Sequence, residues 1–145
     1  MNCKKILSDA YWINRQIIAK TERIARLRDL SERATSITTA ARMGGTPHRS
    51  KLEDAVCAII DLENEIKADI ERLIKSQKLV ENIIEKVDDP CLKTLLELRF
   101  LSFLTWEEVA ERMLYSYVHV VHRLRPKAFR AAEKVVIECN MKSAI

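Results

Sequence analysis

The chain has 145 residues, 25 of them Lys or Arg and 21 Asp or Glu, for a net charge of +4. That length suits one domain, or two small ones sharing a core, and the lack of any run of about 18 apolar residues leaves no room for a membrane-spanning helix. Only two glycines (Gly44, Gly45) and three prolines (Pro47, Pro90, Pro126) punctuate a chain rich in Leu, Ile, Glu, Lys, Arg and Ala, so an all-α protein built on long helices is expected. Cys3, Cys57, Cys91 and Cys139 lie far apart with no C-x-x-C pair. They do not make a zinc knuckle and read as reduced thiols of a cytosolic protein. The start, MNCKKILSDAYWINRQ, has no continuous apolar h-region and no small-residue cleavage site, which agrees with a cytoplasmic location.

In chain order, Ile6, Ala10, Ile13, Ile17, Ile24, Leu27 and Ala34 follow alternating steps of three and four, with Lys20 and Ser31 in the remaining seam positions. After the GGTPHRS stretch the pattern resumes in Leu52, Val56, Ile59, Ile66, Ile70, Leu73, Val80, Ile84 and Val87, interrupted by Glu63 and Gln77. Seams of this length predict two coiled-coil-like helices, each roughly 50 Å long at 1.5 Å rise per residue. Ser50 and Glu53 form an S-x-x-E capping box that is expected to start the second helix. The short connection favours an antiparallel hairpin over residues 1–88. Charge supports that pairing: residues 1–50 carry a balance of +6 and residues 51–89 one of −5. The excess positive charge of the first helix is therefore assigned to its partner helix rather than to nucleic acid.

Residues 89–145 form the expected second domain. Asp89 is a candidate cap and Pro90 suits the first helical turn. A helix through CLKTLLELRFL buries Leu92, Leu95, Leu96 and Phe100 in some combination, and Thr105 with Glu108 makes a second capping box that starts WEEVAERM. Ala110 is the small residue at which two helices cross, Trp106, Val109 and Met113 face the core, and Ser116 caps a further helix seated by Val120 and Leu124. That is the frame of a helix-turn-helix, whose second helix exposes its N-terminal end to the major groove. From Ser116 to Lys134 the balance is +4, with Arg123, Arg125, Lys127, Arg130 and Lys134 against Glu133. A basic stripe beside a recognition helix suits phosphate contacts. The candidate DNA-binding residues are Ser116, Tyr117, Val118, His119, His122, Arg123, Arg125 and Lys127.

His119 and His122 are three apart on one helix, but no third ligand is suggested at suitable spacing, so no metal and no cofactor is expected. No nucleophile–base pair, phosphate-cradling glycine loop or catalytic carboxylate constellation is visible either. The chain reads as a binding protein and not as an enzyme.

The stretch LLELRFLSFLTWEEVAERMLYS resembles region 4 of bacterial sigma factors, through Leu98, Arg99, Phe100, Glu108, Ala110, Met113, Ser116 and Val120. Together with DAYWINRQI, RIARLRDLSERATS and KLEDAVCAIIDLENEI, it makes most of the chain similar to a family of phage and prophage proteins. In that family a long helical hairpin precedes a sigma-like domain. The resemblance implies a DNA-binding transcriptional regulator of phage genes, often late ones, in the cytoplasm of a bacterial host. It places Tyr117, Val118 and His122 against bases and His119 and Val121 near phosphates. Double-stranded DNA is the implied partner, with RNA polymerase as a second candidate and a homodimer through the hairpin as a third. Such a dimer would space half-sites by about 34 Å or a multiple of it. Two alternative readings remain: the DNA-recognition subunit of a packaging machine, resembling a small terminase, and a protein-interaction adaptor that does not bind DNA.

Three positions depart from the region-4 pattern, the first being Val121, where a polar residue is expected. Leu114 stands where the turn has Gly, at a cost of about 1 kcal/mol if φ is positive there. Pro126 costs about 3 kcal/mol inside a helix, so a separate or kinked last helix is expected from it, with Phe129, Ala132, Val136 and Cys139 as its buried stripe. The recognition helix then runs from Ser116 to about Arg125.

Overall fold

The structure, a computed structural model, describes residues 2–40 and 46–143; for residues 35–50 it describes no side chains. It is all-α. Helix α1 spans Cys3–Ala40 and α2 spans Thr46–Glu85. Helix α3 begins at Pro90–Leu96 and closes with a π turn, Glu97–Leu101. Helix α4 is Trp106–Met113. Helix α5, residues 117–143, runs through Tyr117–His119, a π turn at Val120–Leu124, and Arg125–Ser143.

Helix α2 is described from Thr46, so Ser50, the start expected from the capping box, lies within the helix. The Ser50 side chain lies outside the described residues. The caps of the later helices are as expected. Asp89 accepts a hydrogen bond from the Cys91 N–H at 2.9 Å, with Pro90 in the first turn. Thr105 accepts from the Glu108 N–H, and Ser116 from the His119 N–H, both at 3.2 Å.

The chain divides into two compact units: Met1–Trp12 with Leu73–Ile145, and Ile13–Arg72. The physical reason is the apolar cluster of the larger unit, in which Cys3 and Leu7 of α1 and Val80, Ile83, Ile84 and Val87 of α2 are buried together with the C-terminal helices. From α3 to α5 the cluster takes Leu92, Leu95, Leu96 and Phe100, then Val109 and Ala110, then Val120 and Leu124, and finally Ala128, Ala132, Val135 and Val136. Trp106, Met113, Phe129 and Cys139 pack against it, half-buried. Burying a side chain such as Leu95 or Leu96, both fully enclosed, stabilises the fold by about 2 kcal/mol relative to exposure.

The smaller unit is an antiparallel helix pair. Lys20 meets Asp69, and eight residues further along α1 Arg28 meets Glu63, six residues back along α2. On α1 the inward residues are those the spacing predicts, from Ile13 and Ile24 (buried) to Ile17, Lys20, Leu27 and Ser31 (half-buried). On α2 every second inward position is shifted by one residue. Leu62 and Asp69 are buried, and Ala55 is half-buried, while Val56 and Ile70 are exposed. The reason is electrostatic. Lys20 of α1 occupies an inward position and needs an acid opposite it, and Asp69 supplies a carboxylate 2.6 Å away. Glu65 lies 3.6 Å from the same ammonium, and Arg72 lies 3.3 Å from the other Asp69 oxygen.

Candidate nucleic-acid interface

The helix-turn-helix is assembled from α4, a three-residue turn and the start of α5. Leu114 is left-handed (φ 62°, ψ 33°). Its N–H donates to the Glu111 carbonyl at 3.3 Å, and the Tyr115 N–H donates to the Ala110 carbonyl at 3.1 Å. These two bonds form a Schellman motif, which satisfies the last carbonyls of α4 and reverses the chain within three residues. The turn therefore keeps the geometry that usually calls for Gly, with a leucine in its place. Leu114 is 91% exposed, so nothing offsets the cost of its Cβ. Leu114→Asn should raise the unfolding free energy by about 0.5–1 kcal/mol, because Asn tolerates the left-handed region. Leu114→Val should lower it by a similar amount. Thermal denaturation of the two variants checks both signs.

Pro126 does not end the recognition helix or start a separate one; α5 continues through it to Ser143. The helix widens to a π turn directly before the proline, and the Arg125 N–H reaches back five residues to the Val120 carbonyl. A proline ring clashes with the carbonyl four residues earlier and has no N–H to offer it. The widened turn relieves that conflict without breaking the rod. Phe129, Ala132, Val136 and Cys139 do lie on its inner stripe, joined by Ala128 and Val135.

On the outer side the first two turns of α5 present Tyr117 (46% exposed), Val118 (63%) and the exposed His122. His119 is half-buried and its ring lies 5.0 Å from that of Tyr115. Ser116 spends its hydroxyl on the cap. Tyr115 and Leu114 add exposed apolar surface beside the turn, which the sequence pattern does not single out. Behind the first turn, Arg123, Lys127, Arg130 and Lys134 are all exposed. Their spacing of four, three and four places them in one stripe along α5. Arg130 and Lys134 extend the set of cations beyond the candidates chosen from sequence.

Arg125 sits elsewhere. It is half-buried, with its guanidinium 5.0 Å from the Trp106 ring and 5.7 Å from that of Phe129. Arg99 approaches Trp106 to 4.9 Å and Tyr11 to 5.4 Å, and donates to the Leu104 carbonyl at 2.8 Å. That hydrogen bond clamps the turn in which Phe103 is left-handed (φ 57°). Burial pushes the Arg99 guanidinium below its ordinary range; Tyr11 opposes this and Arg125 adds to it. Each such stack is worth about 0.5–2 kcal/mol. Together they make Trp106 the hinge pin between α3, α4 and α5. Arg99 carries a signal in the sequence only through the L-R-F triplet. The same region opens into a cleft of about 610 Å³ lined by Lys4, Arg99, Arg125, Arg130 and a single carboxylate, Glu133.

Among the described residues, no group of three or more His, Cys, Asp or Glu is placed to hold a metal ion. No helix among them is long and apolar enough to cross a membrane. No family model, curated protein or solved structure matches this chain, so its functional reading rests on the geometry of α4 and α5.

Proposed function

We propose that the chain is a sequence-specific, double-stranded DNA-binding protein of the helix-turn-helix type, acting as a sigma-like regulator of phage or prophage genes. One observation carries the reading. A capped helix on a tight turn exposes Tyr117 and Val118 in its first turn and His122 in its second, next to a continuous stripe of four cations. In this arrangement the apolar and aromatic side chains reach base edges and thymine methyls, while the stripe holds the phosphates. Arg123, Lys127, Arg130 and Lys134 supply the electrostatic part of the affinity. Arg125 seats the helix through Trp106 and Phe129, and Ser116 fixes its start. RNA polymerase is the further partner that a sigma-like regulator would require.

Binding to phosphates releases counterions, so affinity must fall with salt. Each contact contributes about 0.9 to the slope of log K against log salt concentration. The double substitution Arg123→Ala and Lys127→Ala should reduce that slope by about 2, measured by fluorescence anisotropy on a labelled duplex between roughly 50 and 200 mM salt. An unchanged slope would remove the stripe from the interface. The exposed Leu114, Tyr115, Tyr117 and Val118 also suit a protein partner. An adaptor of that kind would show no duplex binding even at the lowest salt.

A further inference from the structure

Helix α2 carries a second apolar stripe that its pairing with α1 leaves uncovered. Ile60 is 50% exposed and Ile70 42%. Between them, on the same face, stand Glu63 and Lys67, giving an Ile-Glu-Lys-Ile order at steps of three, four and three. This order is self-complementary about Glu65. When a second α2 is laid antiparallel on the first, Ile60 meets the partner's Ile70, and Glu63 meets the partner's Lys67. Every such contact occurs twice, as a two-fold axis requires. A parallel arrangement would instead set Glu63 against its own copy and Lys67 against its own copy, so charge rejects it.

The charges are available for this role. Among the described residues Lys67 has no salt-bridge partner. Glu63 is only half-buried and engages Arg28 through one carboxylate oxygen, Oε1, at 3.0 Å. Its second oxygen remains for a further cation. The exposed apolar residues also explain why α2 shows two hydrophobic registers in its sequence: one faces α1 and the other faces outward.

We infer that α2 is the homodimerisation surface of this protein, pairing antiparallel with α2 of a second copy about a two-fold axis at Glu65. The inference rests on the α2 surface alone and stands whether or not the protein binds DNA. Light scattering of the full chain at roughly 100 µM, where even a micromolar complex is formed, should give twice the 16.8 kDa chain mass. Glu63→Lys and Lys67→Glu, each alone, convert two attractive contacts into two repulsive ones and should weaken the dimer about tenfold. The double substitution, which exchanges the two charges, should restore it. So should mixing the two single variants, since each then supplies the charge the other lacks, and the restored dimer should be heterotypic. Far-UV circular dichroism confirms that each variant is folded, and the Lys67→Glu arm does not disturb the Arg28 bridge. A wild-type monomer, an assembly larger than a dimer, single variants that dimerise unchanged, or a mixture that fails to pair would each overturn the inference.

Discussion

Replacing Leu7 by Ala is expected to lower the unfolding free energy by about 3–4 kcal/mol, the cost of a fully enclosed leucine truncated to leave a cavity. Leu7 has no exposed surface and belongs to the same cluster as Leu95, Leu96, Val109 and Val120. The start of α1 is therefore part of the foundation on which the helix-turn-helix stands. A fragment of residues 89–145 would leave Leu95, Leu96 and Val136 without their covering from Leu7, Val80, Ile83 and Ile84, and should fail to fold. Leu30, 56% exposed, gives the control: Leu30→Ala should cost less than about 1 kcal/mol. Urea denaturation of the full chain separates the two, and a Leu7→Ala loss no larger than the Leu30→Ala loss would place Leu7 outside the core.

The second large effect concerns Lys20. Asp69 is only 5% exposed and sits at an inward position of an apolar helix pair. Removing Lys20 leaves that carboxylate with the exposed Arg72 alone, and a buried charge short of its partner costs about 2 kcal/mol. Lys20→Met should destabilise by that amount. The pair replacement Lys20→Met with Asp69→Leu should be neutral or stabilising, because it removes both desolvation costs. It also removes the buried charged layer between α1 and α2 and leaves the exposed Arg28–Glu63 bridge, a weaker constraint on how the helices slide past each other, so more than one register should then appear in cross-linking between the helices. The hydrogen bond to Asp69 raises the Lys20 ammonium above the ordinary value of 10.5, against the opposing effect of burial. A raised value in the folded state means that the stabilisation is fully present below pH 10.5 and is lost as pH climbs through the higher folded value. The advantage of wild type over Lys20→Met should thus be constant around neutral pH and shrink as pH climbs into strong alkali, as chemical denaturation at a series of pH values would record.

The same pair shows where the sequence is legible and where it is not. On α1 the apolar spacing leaves one self-consistent face, and Lys20 and Ser31 belong to it as the spacing predicts. On α2, Val56 and Ile70 are more apolar than Ala55 and Asp69, so periodicity selects the wrong residue at alternate positions. The true choice depends on a lysine some fifty residues away, which no local pattern contains. The C-terminal helices are easier, because their caps at Asp89, Thr105 and Ser116 are local hydrogen bonds and their core residues are strongly apolar. Pro126 marks where the helix changes form, though not how: the rule against interior proline assumes α geometry, and a π turn removes the clash that the rule describes. Arg125 and Arg99 carry no sequence mark that distinguishes a solvent-facing cation from one stacked on Trp106. Only the packing around that ring decides it.

Whether the exposed first two turns of α5 read duplex DNA is tested most directly by selecting bound duplexes from a random library with the full-length protein. The expected result is an enriched sequence bound at least about a thousandfold more tightly than unrelated duplex. Tyr117→Ala and His122→Ala should relax the preference at individual positions by about 1–3 kcal/mol while leaving the salt slope intact. Failure to enrich any sequence at low salt, or enrichment indifferent to both substitutions, would contradict a base-reading role for these turns.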